Sequence, residues 1–304
     1  MTLEILGRSC ELGRQLGEGG MGRVYQVDHP FGRSFAVKLL SPRASSEPGM
    51  VMRLLGEANA ARRVSHPAVV RVVDEGWTSD GKPFVAMVLV PGQPLGATIQ
   101  RHGPLSLAQF RAIATQLLPG LAAIHRAGLA HGDIKSDNAL VELGDAPRAT
   151  IIDFGLARSV CSAWSACRMV SGTPDYMAPE IIGGGPATCA ADLYGAGVVL
   201  YEMLTGTTPF VGATTEEVFS GHLHAAVVAP SQRCPDRHMP VALERVILRM
   251  LSKDPRDRPR DAEMVAIEIA RVTPALADAI AIELPAFSTN APTRDWSPRR
   301  HVAC

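Results

Sequence analysis

The chain has 304 residues, 46% of them hydrophobic, with 30 Lys+Arg against 30 Asp+Glu. That is enough to bury a large core in one or two compact units, and the balanced charge gives no basic footprint for nucleic acid. Six cysteines, at 10, 161, 167, 189, 234 and 304, form no C-x-x-C pair, so neither a zinc site nor a disulfide scaffold is expected, and a reducing cytoplasm is the simplest setting.

No apolar run approaches the ~18–20 residues of a membrane span. Residues 1–10 carry Glu4 and Arg8 and read as a short extension, not a signal peptide. Glu11 to Leu40 then reads as three strands. Gly17-Glu18-Gly19-Gly20-Met21-Gly22-Arg23-Val24 is G-x-G-x-x-G-x-V, whose glycines let backbone amides lie close over phosphates. Dinucleotide folds share these letters, but there the glycines open a helix. Here the β-forming Val24-Tyr25-Gln26-Val27 follows, so a hairpin is predicted.

Lys38 sits in the apolar strand Ser34–Leu40. It is either an edge lysine that snorkels to water or a phosphate-gripping lysine in need of an acid. The helical spacing of Val51, Leu54, Leu55, Ala58 and Ala61 places Glu57 beside an apolar stripe. Val69–Asp74 and Pro83–Val90 read as strands around the turn Ser79-Asp80-Gly81-Lys82, and Pro91-Gly92 ends the second. Ser106 and Gln109 form a capping box, with Leu105 and Phe110 as its staple. Pro119-Gly120 is expected to kink or loosen the helix that follows.

That helix delivers the chain to His131-Gly132-Asp133-Ile134-Lys135-Ser136-Asp137-Asn138. Asp133 can accept a hydroxyl proton, and Lys135 can neutralise a phosphoryl group. Asn138 and Asp153 are hard oxygen donors of the kind Mg²⁺ selects. Two short apolar runs joined at Leu143–Pro147 read as a hairpin, which would bring Asn138 and Asp153 together at its outer ends. Asp153-Phe154-Gly155 is followed by a small-residue segment with Ser159, Ser162, Ser165, Cys161 and Cys167, then Gly172-Thr173-Pro174-Asp175-Tyr176-Met177-Ala178-Pro179-Glu180. Asp192 opens an almost wholly apolar stretch, read as a buried helix. His222-x-His224 has a metal-like look but no Cys or acid at ligand spacing.

These motifs, in this order, resemble the protein-kinase superfamily, and within it the bacterial eukaryotic-like serine/threonine protein kinases. The resemblance covers roughly Glu11 to Ala270. It implies an α+β, bilobal protein-kinase fold: a small N-terminal five-stranded sheet with one helix, and a larger, mostly helical C-terminal lobe. The kinase domain would run over 11–272, with lobes at 11–90 and 91–272 and a tail at 273–304, disordered from about 284.

The resemblance also implies the site. Leu16, Gly17, Glu18, Gly19, Gly20, Met21, Gly22, Arg23 and Val24 would cover ATP, with Ala36, Val90 and Leu140 lining the adenine pocket and Met87 as gatekeeper. Lys38, held by Glu57, would contact the phosphates. Asp133 and Lys135 would be catalytic, and Asn138 and Asp153 would hold Mg²⁺, or Mn²⁺ in its place. Arg258 would pair with Glu180. Protein substrates are expected, with self-association for autophosphorylation and no nucleic-acid partner.

Gly132 departs from the family, which usually has Arg there to grip a phosphorylated activation segment. Arg158 and Arg168 offer a substitute phosphate ligand, but basal activity is nonetheless expected to be largely independent of phosphorylation in that segment. The rivals are a pseudokinase, supported only by Gly132 and Val88, and a small-molecule kinase, disfavoured by the Gly172–Glu180 stretch.

Overall fold

The computed structural model describes residues 1–19, 22–153, 158–159 and 173–273, except the side chains of Arg43, Pro48, Arg53, Glu57, Ala60, Arg158 and Ser159. Gly20, Met21, Phe154, Gly155, Cys161, Cys167, Ser162, Ser165, Arg168, Gly172 and the expected disordered tail lie outside the described residues.

The first ten residues form structure rather than a loose arm. β1 (Thr2–Ile5) and β2 (Arg8–Glu11) pair as an antiparallel hairpin. Leu3, Ile5 and Cys10 point inward against Val27, Phe35, Val37 and Phe84, making a satellite core on the outer face of the main sheet. The sequence signal was the alternation Leu3-x-Ile5, and it was too short to stand out.

The main sheet has five antiparallel strands in the order β3-β4-β5-β7-β6. They are β3 (Gln15–Gly19), β4 (Gly22–His29), β5 (Arg33–Leu40), β6 (Val72–Trp77) and β7 (Pro83–Val88). Strict alternation along β5 buries Phe35, Val37 and Leu39 against the hairpin and turns Ala36 and Lys38 to the opposite face. α1 (Pro42–Ser45) and α2 (Pro48–Ala61) follow, and α2 packs its Leu54, Ala58 and Ala61 into the main core.

β6 starts three residues later than the sequence predicts. Val69 and Val70 pair instead with Ile151, so they leave the sheet and join the two lobes. β7 likewise ends at Val88, two residues early.

Short β8 (Gln93–Pro94) leads to α3 (Leu95–His102) and α4 (Leu107–Arg126). The Ser106/Gln109 capping box is present, and Leu105 and Phe110 are both buried. α4 continues through Pro119 and Gly120, because its packing on both flanks outweighs one missing hydrogen bond. With 20 residues, α4 is long and apolar enough, by length and composition alone, to cross a membrane. This corrects the expectation that no segment qualifies. Its apolar stripe of Phe110, Ile113, Leu117, Leu121 and Ile124 sits in the main core.

β9 (Leu129–Ala130), β10 (Ala139–Glu142), β11 (Arg148–Ile151) and β12 (Arg158–Ser159) make two small sheets around the catalytic segment. The rest is helical: α5 (Pro179–Ile182), α6 (Cys189–Thr205), α7 (Thr215–His224), α8 (Pro230–Arg233), α9 (Val241–Met250) and α10 (Ala262–Val272). α6 is buried nearly all round. The expected two-lobed α+β architecture is the one observed.

Candidate active site

The β10–β11 hairpin forms with Ala139 opposite Ile151. The Ile152 amide donates to the Asn138 carbonyl at 2.8 Å, so Asn138 and Asp153 converge at the open end as the sequence predicts. Asp153 has φ +62°, a left-handed conformation that Asp tolerates better than most residues. Local strain of this kind clusters at functional positions. Asp153 forms a salt bridge with Lys38, which reaches down from the cleft face of β5.

Glu57 lies on α2, next to the buried Ala58, but its side chain is outside the described residues, and so is the expected Lys38–Glu57 contact. Ala36, Val24, Met87, Val90 and Leu140 are all half-buried, and Leu16 is exposed. Ala36 lies opposite Met87 across β5 and β7. Glu18 and Arg23 pair across the β3–β4 hairpin at 3.1 Å. Gly22 is there for a steric reason: a Cβ would sit 1.9 Å from the Leu39 carbonyl oxygen. Gly17 has open space around it, and Gly19 ends β3.

The segment from His131 to Asn138 is organised by hydrogen bonds. Asn138 Nδ2 donates to the Asp133 carbonyl at 2.8 Å and to Asp133 Oδ2 at 3.0 Å. Lys135 Nζ lies 3.0 Å from Asp133 Oδ2 and donates to Thr173 Oγ1 at 3.0 Å. His131 is fully buried, and its Nδ1 accepts the Asp133 amide at 3.3 Å. Burial pushes its imidazole below the ordinary range, against the pull of Asp192, Asp133 and Asp153. His131 therefore packs as a buried ring that holds the Asp133 amide.

The residues that hold this segment were not legible as site residues. Asp192, at the start of α6, accepts the amides of His131 at 2.7 Å and Gly132 at 2.8 Å, and also binds His125 Nε2 at 2.9 Å. Burial works against a charge on His125, but hydrogen bonds to Asp192 and Cys189 outweigh it and bring its pKa to about 9. The available signal was an acid heading an apolar helix, since a buried charge demands partners. Ser136 and Tyr176 are likewise bonded to each other, at 2.8 Å.

Arg258 is fully buried, and its fork meets both Glu180 oxygens, at 2.6 and 2.7 Å. It also donates to the carbonyls of Ser252, Ala190 and Lys253. This is the pairing the resemblance implies. His222 bonds Tyr194 through Nδ1 at 2.8 Å and is a packed core residue.

Among the described residues no group of three or more His, Cys, Asp or Glu is placed to hold a metal. The donor set of Asn138 and Asp153 suits an ion that keeps waters and takes phosphate oxygens, as Mg²⁺ does. Asn138 has its nitrogen committed to Asp133, which leaves the oxygen side of the amide for a cation. The fit is good.

The protein kinase domain family matches residues 10–268. The serine/threonine-protein kinase pkn3 of Myxococcus xanthus is 36% identical over 84% of this chain and 48% of that protein. The serine/threonine-protein kinases PknD and PknE of Mycobacterium tuberculosis are 37% and 39% identical, over 84% and 81% of this chain and 38% and 43% of theirs. The chain thus spans less than half the length of these relatives. A crystal structure of a double mutant of the Mycobacterium tuberculosis PknI kinase domain superposes with TM-score 0.67 at 25% identity, over 89% of this chain and 97% of that one. The chain belongs to the protein kinase domain family.

Proposed function

We propose that the chain is a serine/threonine protein kinase that transfers the γ-phosphoryl group of ATP to hydroxyls of protein substrates. The observation that carries this reading is Lys135 Nζ, 3.0 Å from Asp133 Oδ2 and 3.0 Å from Thr173 Oγ1. It ties a proton acceptor, a cation and a hydroxyl-bearing shelf together in one place. Asp133 orients the acceptor hydroxyl and takes its proton. Lys135 balances charge on the phosphoryl group in transit. Lys38 grips the ATP phosphates from above, and Gly17, Gly19 and Gly22 let the β3–β4 backbone lie over them. Asn138 and Asp153 would hold Mg²⁺, which would supply neutralisation of phosphate charge. Such a transition state is loose, so positioning and charge do most of the work.

The relatives' names support serine and threonine as acceptors, and the intact Lys38, Asp133, Asn138 and Asp153 weigh against a pseudokinase. The Thr173–Glu180 shelf weighs against a small-molecule kinase. Action in the cytoplasm, on substrates that include a second copy of this chain, completes the reading; Cys10, Cys189 and Cys234 are free thiols, as a reducing compartment favours. The test is transfer of label from γ-labelled ATP to a generic protein substrate, with and without Mg²⁺ or Mn²⁺, followed by phosphoamino-acid analysis. Label on serine or threonine that depends on the cation and is lost in Asp133→Asn is the expected result. Label only on a small molecule, or none, would reject the reading.

A further inference from the structure

Ser136 lies inside the catalytic segment, between Lys135 and Asn138, and the reaction as described gives it no task. Its side chain is 2% exposed. A buried hydroxyl needs a partner, and Ser136 Oγ has one in Tyr176 Oη at 2.8 Å. Tyr176 Oη in turn donates to Glu202 Oε2 at 2.7 Å. A phenol has one proton. With that proton donated to Glu202, the Ser136 hydroxyl is the donor to Tyr176, and the chain runs Ser136 to Tyr176 to Glu202.

Three separate pieces of the fold meet in that chain. Ser136 opens the turn that carries Asn138. Tyr176 ends the turn Pro174–Tyr176, next to Thr173. Glu202 is on α6, the helix whose Asp192 already holds the amides of His131 and Gly132. Lys135 and Thr173 form a second tie between the same two turns, at 3.0 Å. The hydroxyl is also confined from behind. A Cβ on Gly96 of α3 would lie 2.6 Å from Ser136 Oγ, so only a bare backbone leaves room for it.

We propose that Ser136 is a positioning residue, one that locks the shelf under the protein substrate to the segment carrying Asp133. It touches neither ATP nor the acceptor. It acts through Tyr176, by fixing the height of the shelf relative to the proton acceptor. The inference rests on the kinase reading given above. Lys38 and Asp153, on the ATP side of the cleft, form a salt bridge with each other, and Asn138 is held by its own hydrogen bonds to Asp133. Loss of Ser136 Oγ therefore falls on the use of the protein substrate and spares the use of ATP.

The test is steady-state kinetics on the full chain with an acceptor peptide and ATP varied separately. Ser136→Ala is expected to lower kcat/KM for the peptide about three- to tenfold, the worth of one neutral hydrogen bond, with KM for ATP near that of the wild type. Ser136→Thr, which keeps the hydroxyl, is expected to recover most of the loss. In a Tyr176→Phe background, Ser136→Ala is expected to cost nothing further, because residues that act as one unit are not additive. Unchanged peptide kinetics in Ser136→Ala would overturn the proposal. So would an equal loss in the Tyr176→Phe background, or an equal rise in KM for ATP. If melting shows Ser136→Ala unfolded, Tyr176→Phe keeps the ring and decides alone: wild-type peptide kinetics there would overturn the proposal, and a loss confined to the peptide would support it. A wild-type chain that phosphorylates nothing defeats the kinase reading, and this proposal with it.

Discussion

The Asp192 carboxylate accepts the backbone N–H of Gly132 at 2.8 Å across 60 residues of sequence. The same carboxylate accepts the His131 amide and binds His125. One buried charge thus sets the path of the chain into Asp133. Asp192→Asn keeps the shape but turns an N–H₂ toward one of its donors. We expect it to lower the unfolding free energy by about 2–4 kcal/mol and to slow transfer at saturating ATP. Urea unfolding read beside kcat checks this, and a stability change within about 0.5 kcal/mol, the range of neutral surface changes, would contradict it.

His125 gives the same contact a pH signature. Its pKa in the fold is about 9, against an ordinary 6.5. The fold binds that proton more tightly than the unfolded chain does. The stabilisation is therefore complete below pH 6.5 and is lost as pH rises through about 9. Lys253 works the other way. Burial and Arg258 lower its pKa to about 8 from 10.5, so its share of stability rises with pH between those values. The difference between wild type and His125→Gln isolates the histidine. That difference should shrink steadily from pH 6.5 to pH 9. A flat difference would show that the ring carries no proton.

Gly132 has φ +79°, where a side chain costs about 1–2 kcal/mol. Gly132→Ala should therefore lose about that much in urea with an unchanged m-value. Its amide still reaches Asp192, so the effect belongs to the backbone. A neutral Gly132→Ala would show that the positive φ is not needed.

Asp153→Asn is a clean removal of charge, because Asn tolerates the left-handed φ of +62° as Asp does. It should fold, and it should lose at least about a hundredfold in transfer, in line with the several kcal/mol that a catalytic metal supplies. Lys38→Met should do the same from the other side of the pair. Transfer rates measured beside circular dichroism separate folding from chemistry. Near-normal turnover in either variant would mean that the site is misplaced.

Arg258→Lys tests the buried fork. Lysine cannot meet both oxygens of Glu180 and the three carbonyls at once. A loss of about 3–5 kcal/mol is expected, as for a broken buried pair. Calorimetric unfolding would read it, and a small loss would show that water has replaced the fork.

How much of this was legible depended on distance along the chain. The β3–β4 pairing, the Ser106 cap and the Asn138–Asp153 hairpin are local. Their chemistry lies within a few residues, and the letters alone predict them. Lys38 and Asp133 were legible only through the ordered set of motifs, since alone each reads as an edge lysine that snorkels or a loop acid that caps a turn. The hairpin of residues 2–11 was not legible, because Leu3 and Ile5 acquire a buried face only when Phe35 and Phe84 cover them. Val69 and Val70 were read as strand, and their loss to Ile151 is a competition between two partners that only packing settles.

Asp192, Ser136 and Tyr176 belong to the same class. Each is an ordinary polar letter in sequence. Burial removes their water, and the nearest donor or acceptor is then a residue 26 to 61 positions away. The residue types and their local spacing determined which chemistry this chain can carry. The tertiary structure decided what holds that chemistry in register, because a buried polar group finds its partner in space and not along the chain.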